Sequence, residues 1–248
     1  MRFEHAKDLR ADFPELVAGV VAATGIGPDG SAAARIDALA AVATARLAAG
    51  PHSEFPEIRA WRRAFGRMGL KPTQYRCAAE ALLRRFAREG SLPRIHPLVD
   101  LCNAVSLAYA VPVAVLDLAR VHGDLEVRYA EGTETYETFS GDVEHPDPHE
   151  VSFVDTSGRA HARRWTNRQS GYSAVRPATA SVLVVAEALH PSATDDIAAL
   201  TAVLAAEIGA AWGGTPASAV LTASSPTFVL PEPGQHHDWT PPQAETPS

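Results

Sequence analysis

The sequence predicts a single α+β domain in which N-terminal helices pack on a mostly antiparallel half, sheet-like or barrel-like in form. Three observations predict it. Apolar residues recur at helical spacing up to Ala110, short strand-like runs separated by turn residues follow Pro112, and 46% hydrophobic with 21% charged residues is typical of a globular chain. The domain is expected to span residues 1–223. A tail rich in Pro, Thr and Gln, residues 224–248, is expected to be poorly ordered.

The helical half is predicted to follow one buried strand. Leu16–Ile26 is apolar and β-branched and is bounded by glycines, which is typical of a strand. Start and stop signals such as Ser31, Pro56 and Gly90 then mark successive helices. The predicted helices cover residues 31–50, 53–68, 73–90 and 97–110.

The second half reads mainly as strands separated by Gly, Asp, Pro and Ser turns. The run 181–189 fits either a buried strand or a short helix, and 193–212 is an amphipathic helix with acidic residues in its first turn. The predicted strands cover residues 113–118, 125–130, 134–139, 150–155, 159–165 and 217–223.

Charge and composition narrow the class of protein. The net charge of −7 argues against gripping long stretches of nucleic acid, since phosphate neutralisation needs surplus Lys and Arg. Arginines clustered at 59–67, 84–88 and 159–168 still allow a local contact with one RNA end, although solvated, acid-paired arginines are the alternative. No apolar run spans a bilayer, no secretory h-region is present, and the two cysteines have no CxxC partner. We therefore expect a cytoplasmic protein with reduced thiols and no membrane contact.

No cofactor and no metal are expected. Gly25, Gly27 and Gly30 match the GxGxxG spacing, but Pro28 and Asp29 interrupt the pattern that a dinucleotide site needs. The polar segment 144–150 carries Glu, His and Asp side chains without a defined ligand spacing, so a solvated loop is favoured over a metal site.

Three stretches carry a resemblance. The most specific is Leu98–Asn103, followed by Pro112, Asp117 and Gly123–Arg128. It resembles the Val-Asp-x-x-Asn helix, the Pro and Asp, and the Gly-x-Ile-x-Val-Arg strand of the B3/B4 domain in the phenylalanyl-tRNA synthetase β subunit. Two other stretches, 59–85 and 163–187, are similar to stand-alone B3/B4 proteins. The resemblance covers roughly residues 55–190, and it implies that fold and an aminoacyl-tRNA editing site.

The sequence departs from the synthetase pattern at the editing pocket. There a histidine lies between the Pro and the Asp, and a threonine–asparagine pair lies on the helix. Here Ala114 takes the histidine position and Cys102 the threonine position, while Asn103 is retained. The glycine-rich stretch that reads the tyrosine hydroxyl is replaced by Arg163–Gln169. Discrimination of tyrosine from phenylalanine is therefore not expected, because that selectivity needs paired polar groups.

Two polar islands are the candidate site. Asp100, Asn103 and Ser106 form a stripe on an apolar helix, where Asn103 faces a pocket while Asp100 caps or pairs with an arginine such as Arg128. A second island combines cations, a ring and amides suited to a carboxylate, a phosphate or a stacked base: Arg164, Trp165, Asn167, Arg168 and Gln169. A core tryptophan flanked by structural ion pairs is the alternative. The hypothesis is that Asn103 and 164–169 line one cavity.

The favoured function is a trans-acting aminoacyl-tRNA deacylase that binds the tRNA 3′ end weakly and in a salt-sensitive way. Asn103 would orient the water or the ester as the catalytic residue. Arg164, Arg168 and Gln169 would hold the terminal adenosine or the surroundings of the amino group, and Trp165, Asn167 and Ala114 would complete the substrate-binding set. The resemblance implies that a ribose hydroxyl assists, so no basic side chain is obligatory.

Two alternative functions stay open. One is a non-catalytic module that binds an amino acid or another small metabolite in the same pocket. The other is an interaction protein without a ligand, which the acidic net charge favours because it weakens the RNA case.

Overall fold

Two β-sheets organise the chain, and the computed structural model describes residues 1–230. The α-helices are α1 (Lys7–Asp12), α2 (Ala33–Ala49), α3 (Pro56–Arg67), α4 (Ala78–Glu89), α5 (Pro97–Tyr109) and α6 (Ala193–Trp212). The strands are β1 (Arg2–His5), β2 (Val17–Thr24), β3 (Val113–Asp117), β4 (Leu125–Tyr129), β5 (Thr135–Glu137), β6 (Val143–Glu144), β7 (Val151–Asp155), β8 (Arg159–Arg163), β9 (Arg168–Gln169), β10 (Ser181–Ala188), β11 (Ala217–Leu221) and β12 (Thr227–Val229).

The pairing of these strands confirms the predicted α+β class. The eight-stranded sheet has the order β12-β1-β4-β7-β8-β5-β6, with β9 paired to β8, and its parallel pairs are β1–β4 and β5–β8. The four-stranded sheet has the order β11-β2-β10-β3 and is antiparallel throughout. Over residues 1–230 neither sheet closes into a barrel, so the sheet-like version of the prediction is the correct one.

The four-stranded sheet is covered on both faces. Val17 and Val21 of β2 pack in one apolar cluster with residues of α5 and α6. Ala18 and Val20 pack in a second cluster, which also holds residues of α3, α4 and the eight-stranded sheet. A strand buried on both faces needs apolar residues at every position, which explains the unbroken apolar run of β2.

The polar stripe on α5 finds local partners. Asp100 accepts a hydrogen bond from the Ile95 backbone N–H at 2.9 Å, and the Ser106 hydroxyl donates to the Val111 carbonyl at 2.6 Å. Asp100 thus caps as expected and also pairs with an arginine, but that arginine is Arg94 at 3.9 Å. Arg128, the partner suggested from the sequence, lies 2.8 Å from the buried carboxylate of Glu134. These bonds fix the two ends of α5, since helix termini leave backbone groups without intrahelical partners.

Several predicted boundaries are corrected. The helix expected from residue 73 begins at Ala78, whose N–H is bonded to the Thr166 carbonyl at 2.8 Å. The strand expected over 159–165 ends at Arg163, where a turn begins. The ambiguous run 181–189 is strand β10.

The predicted start of the C-terminal tail, residue 224, lies before the end of the folded part of the chain. Residues 227–229 form β12 and pair with β1, so the folded part of the chain extends past residue 223. The rest of the expected tail, residues 231–248, lies outside the described residues.

Candidate functional site

A small cavity lies between the β8–β9 hairpin, the start of α4 and the strands β3 and β10. Its volume is about 50 Å³, several times the space that one water molecule needs and well below the volume of a drug-sized site. The apolar lining consists of Ala78, Pro112, Val113, Ala114, Phe153, Ala162, Trp165 and Val185. The polar lining consists of Thr166, Asn167, Arg168, Gln169 and Glu187. Most of the second predicted island therefore lines one cavity, as does Ala114.

The hairpin turn that forms one wall has an unusual backbone. Arg164 and Trp165 have φ of 47° and 57°, although neither is a glycine. Such a conformation costs about 1–3 kcal/mol per residue and persists only where other contacts enforce it. The Arg164 N–H donates to the Glu150 carboxylate at 3.0 Å, and the Trp165 N–H donates to the Val151 carbonyl at 2.7 Å. These two bonds fix the turn against β7 and direct the side chains that follow.

Trp165 belongs to both the core and the cavity. It is fully buried, and its ring makes edge-to-face contacts with Trp61 and Phe13, at centroid distances of 5.0 Å and 4.9 Å. Its Nε1–H donates to Glu187 Oε1 at 2.8 Å. A tryptophan in the core was the structural alternative, yet the same side chain also orients a polar group of the site.

Glu187 is the buried carboxylate of the cavity, and its residue is 2% exposed. Its Oε1 also contacts His5 Nε2 at 2.7 Å, while His5 Nδ1 lies 3.2 Å from Arg10 Nη2. Since a guanidinium only donates, His5 Nδ1 accepts and His5 Nε2–H donates to Glu187. Glu187 Oε2 forms no hydrogen bond with the described residues, so one carboxylate oxygen is left for a ligand.

Arg10 carries the compensating charge for this carboxylate. Burial lowers the pKa of Arg10, and the nearby Glu187 carboxylate opposes that shift. The order Arg10–His5–Glu187 thus links a partly buried cation to a buried anion through a neutral imidazole. Such a chain reduces the cost of holding the carboxylate away from water.

The two amides in the cavity wall are fixed by backbone carbonyls. Asn167 Nδ2 donates to the Arg76 carbonyl at 2.7 Å, and Gln169 Nε2 donates to the Val115 carbonyl at 2.6 Å. Their side-chain oxygens remain as acceptors. Thr166 differs, because its hydroxyl is buried without a hydrogen-bond partner among the described residues.

The predicted cations are engaged in ion pairs. Arg164 lies 3.6 Å from Glu150 and stacks over the Tyr75 ring at 4.9 Å, and it does not line the cavity. Its side chain thus pairs with Glu150 and Tyr75, and its predicted contact with a substrate stays a prediction. Arg168 does line the cavity, is 42% exposed and lies 3.2 Å from Glu144.

Asn103 lies elsewhere. It is half-buried on α5 and is not among the residues that line the cavity. The cavity therefore joins residues 165–169 without Asn103. A shared site and a reaction role for Asn103 remain predictions.

Two other polar groups are engaged in internal hydrogen bonds. His161 lies 2.9 Å from the Ser173 hydroxyl and 3.1 Å from Asp155, an arrangement that resembles a Ser-His-Asp triad. All three are buried and none lines the cavity, so the arrangement stabilises the interior. The polar segment 144–150 is tied down by Arg163, which donates to Glu150 at 2.8 and 2.9 Å and to Glu144 at 2.6 Å.

Three site residues escaped the sequence reasoning. Glu187 was noted only within the resemblance, Thr166 was passed over inside the Arg164–Gln169 run, and His5 lies in the first strand. The signal for Glu187 was available, as an acidic residue within the apolar run of β10. His5 offered none, because its partner is 182 positions away in the chain.

Comparison with known proteins identifies the class. The family model described as the B3/4 domain matches residues 60–202, which is more than half of the chain. The chain therefore belongs to the B3/4 domain family.

Curated relatives are larger proteins. The phenylalanine–tRNA ligase β subunit of Legionella pneumophila (strain Paris) is 37% identical over 54 residues, 22% of this chain and 7% of that protein. The corresponding subunit of Nitrobacter winogradskyi is 35% identical over 79 residues, 32% of this chain and 10% of that protein. The chain thus spans about a tenth or less of the length of these relatives.

A solved structure gives a looser match. It is an N-terminal fragment of the phenylalanyl-tRNA synthetase β subunit from Pyrococcus horikoshii, with a TM-score of 0.46 and 10% identity, covering 86% of this chain and 49% of that one. Within residues 1–230, every helix is too short or too polar to cross a membrane.

Proposed function

We propose that this protein is a trans-acting aminoacyl-tRNA deacylase, which hydrolyses the ester between an amino acid and the 3′ end of a tRNA. Membership of the B3/4 family supports the proposal, because the resemblance to the synthetase β subunit implies an editing site. The observation that carries it is Glu187, a buried carboxylate that lines an otherwise largely apolar cavity with one oxygen unengaged.

A carboxylate can bind the α-ammonium group, the positive charge that lies next to the carbonyl in an aminoacyl ester. The α-ammonium group would bind Glu187 Oε2, while His5 and Trp165 hold Oε1. Charge-assisted hydrogen bonds of this kind are strong in an apolar site. The ammonium then fixes the ester carbonyl relative to the wall formed by residues 165–169.

The unpartnered Thr166 hydroxyl provides a donor for the reaction. Water attacks the ester carbonyl carbon, the carbonyl oxygen gains negative charge, and the C–O bond to the ribose breaks to release amino acid and tRNA. Thr166 lines the cavity and its buried hydroxyl has no partner among the described residues, so we assign it as the donor to that oxygen as its charge develops. The neighbouring ribose hydroxyl would assist the attacking water.

The lining of the cavity is largely apolar apart from Glu187 and the 166–169 segment. Discrimination of tyrosine from phenylalanine is not expected, because the features that read the tyrosine hydroxyl in the synthetase are absent here.

The experiment is a deacylation screen with tRNAs charged with glycine, alanine, serine, threonine, phenylalanine and tyrosine. Glu187→Gln should lower kcat/KM by about 10- to 100-fold, because a charge-assisted bond to the ammonium is lost. Thr166→Val should lower kcat by about 100-fold and leave KM nearly unchanged, because its bond forms in the transition state.

Glu134→Gln is the matched control. Glu134 is also a buried carboxylate, 2% exposed and paired with Arg128, but it does not line the cavity. Deacylation by this variant should equal that of the parent. Equal losses in Glu187→Gln and Glu134→Gln would mean that the carboxylate matters only for folding, and the proposed site would be wrong.

The RNA contact is tested by salt. Arg168 at the cavity wall is the half-exposed cation available to a phosphate, and its replacement by Ala should reduce the slope of log affinity against log salt by about 0.7. An unchanged slope would mean that Arg168 does not contact a phosphate of the RNA.

A non-catalytic amino-acid or small-metabolite binding module is the second candidate. The pairing of Arg164 and Arg168 with Glu150 and Glu144 favours it, because those ion pairs reduce the positive charge that RNA would meet. Binding of a free amino acid, nearly independent of salt and without turnover of any ester, would decide for this candidate and against the deacylase.

A further inference from the structure

Three ionisable side chains from distant parts of the sequence meet beside the start of α6. They are Glu57 in the first turn of α3, His190 just after β10, and Asp196 in the first turn of α6. One donor atom from each lies within 4.8 Å of the donor atoms of the other two. We call this set the Glu57–His190–Asp196 cluster. None of its members lines the cavity that contains Glu187.

The cluster contains buried polar atoms whose missing hydrogen bonds cost free energy. His190 is 3% exposed and Glu57 is 8% exposed. His190 Nδ1 and Glu57 Oε2 are both buried, and neither has a hydrogen-bond partner among the described residues. A buried polar atom without a partner costs about 1–3 kcal/mol. Two of the three members of the cluster therefore carry a buried polar atom without a partner among the described residues.

The remaining bonds leave those atoms available. His190 Nε2 lies 2.7 Å from Asp196 Oδ2, which also accepts from the Ser192 hydroxyl at 2.7 Å. Arg46 donates to Glu57 Oε1 at 2.7 Å and not to Oε2. Arg46 is itself held by the Ala108 carbonyl at 2.9 Å, so it is a fixed neighbour of the cluster rather than a mobile cation that could fill it.

The chemistry of the donors selects the ligand. One imidazole and two carboxylates are donors that zinc and similar divalent ions accept, commonly as three protein ligands with water in the remaining position. Ligands about 2.1 Å from one ion lie at most roughly 4.2 Å apart, which is close to the 4.8 Å limit within which the three donor atoms lie. With a neutral imidazole, the cluster and Arg46 together carry one net negative charge, which a divalent cation reverses.

A cleft of about 270 Å³ lies on the Arg46 side of the cluster. Its lining includes Arg46, the ion-pair partner of Glu57, and Pro56, which directly precedes Glu57, but none of the three cluster residues. The entry path that a metal site requires would therefore run past Arg46.

We propose that the Glu57–His190–Asp196 cluster binds one divalent cation of the zinc class. The ion would join α3, the end of β10 and the start of α6, and it would stabilise the fold without taking part in ester hydrolysis. No spacing pattern indicates this site, because the three residues are spread over 140 positions and only His190 and Asp196 are near one another.

The test is zinc binding by the full chain after treatment with a chelator. His236 and His237 are adjacent in the sequence and offer two imidazoles of their own, so the measurements use a His236→Gln/His237→Gln background. Equilibrium dialysis should give one zinc ion per chain, and zinc should raise the Tm because it binds the folded state. Asp196→Asn and Glu57→Gln should each weaken binding by about 10- to 100-fold or more.

Asp195→Asn is the matched control, since Asp195 is exposed in the same helical turn and is outside the cluster. Its zinc affinity should equal that of the background protein. Cobalt in place of zinc should give visible absorption bands that His190→Gln alters, because a nitrogen ligand is lost. Absence of stoichiometric binding, or equal affinities for Asp196→Asn and Asp195→Asn, would overturn the proposal. If Asp196→Asn does not fold, Glu57→Gln decides in the same way.

Discussion

Single residues of the β8–β9 turn explain both the success and the failure of the sequence reasoning at the site. The run 164–169 was recognised as a polar island, and all of it except Arg164 lines the cavity. The sequence predicts a strand at Arg164, whereas the backbone there has positive φ. Local composition reveals that a segment is unusual. It does not reveal the backbone geometry that directs each side chain.

Asn103 illustrates a second limit at the residue scale. A polar residue on an apolar helix is predicted to face a pocket, and a half-buried position on the helix surface produces the same pattern. Glu187 of β10, which lines the cavity, is bonded to His5 of β1, and the two are far apart in sequence. Pattern analysis within one helix has no access to such contacts.

The two cysteine thiols should be unreactive in the folded protein. Cys77 and Cys102 are both buried and free, and burial raises the pKa of the Cys77 thiol to about 12 and also raises that of Cys102. Because the thiolate is the reactive form, a disulfide reagent at pH 8 should label neither residue in the native state and both residues in denaturant. Rapid native labelling would show that one of these sites opens to solvent, and a Cys102→Ala variant would identify which.

At the scale of elements, the long periodic segments were predicted well and the short ones were missed. Helix α6 has the predicted bounds, and β2 and β10 lie within the predicted runs. β1 and α1 have four and six residues. Segments this short have no detectable period, and they are held in place by pairing and packing rather than by local preference.

The start of α4 shows why a predicted helix boundary can differ from the observed one. The helix was expected from residue 73, but its first N–H, from Ala78, bonds to the Thr166 carbonyl in the site turn, and Cys77 Sγ caps the Glu80 N–H. Tertiary contact with the β8–β9 turn therefore determines where the helix begins. A boundary set by a segment about 90 positions away cannot be predicted from capping residues alone.

The contact between β2 and α6 can be tested by one added methyl group. A Cβ at Gly19 would overlap the Thr201 hydroxyl and approach Ile197 Cγ2 to 3.1 Å. Gly19→Ala should therefore lower the free energy of unfolding by about 1–3 kcal/mol. The Thr201 hydroxyl is buried without a partner among the described residues, so Thr201→Ala should relieve part of that loss in the double variant. Denaturant titrations of the four proteins measure the coupling.

Gly66→Ala is the control for this cycle. Gly66 lies within α3, is exposed, and has no heavy atom within 4 Å of an added Cβ. The substitution should raise the free energy of unfolding by about 0.5–1 kcal/mol, because alanine is the better helix former. Independent effects of Gly19→Ala and Thr201→Ala would contradict the close approach of α6 to β2.

At the scale of the whole molecule, buried charge is distributed in networks rather than in one site. Arg163 binds Glu150 and Glu144, Arg62 binds Glu80, and Asp155 lies at the centre of a group that joins β7 and β8 to neighbouring loops. The sequence showed the number and clustering of arginines but not their partners. Arg163 is the buried member of the predicted clusters, whereas most of the other arginines in them are exposed.

Asp155 should contribute to the pH dependence of stability. Burial opposes its ionisation, but hydrogen bonds from His161 and Ser157 and from the N–H groups of His122 and Arg159 outweigh burial and lower the pKa of Asp155. A carboxyl group with a lowered folded pKa adds stability that is present above its unfolded pKa, near 4, and is lost as pH falls toward the folded pKa.

Comparison of the parent with Asp155→Asn measures this contribution. At pH 7 the variant should be less stable by about 1–3 kcal/mol, because bonds to a charged acceptor are lost. The gap should narrow as pH falls below about 4, where the carboxyl of the unfolded parent becomes protonated. A gap that is constant between pH 7 and pH 3 would show that Asp155 does not titrate differently on folding.

The pairing of β1 with β4 and β12 has a consequence for synthesis. Because β12 covers one edge of β1, that edge stays open until residue 229 has left the ribosome. During this interval the growing chain presents an unpaired strand that other chains could join, and His5 has no completed β10 to meet. The cavity that contains Glu187 is therefore completed only after β10 has been synthesised, and the nascent chain depends on its own last described strand to cover this edge of β1.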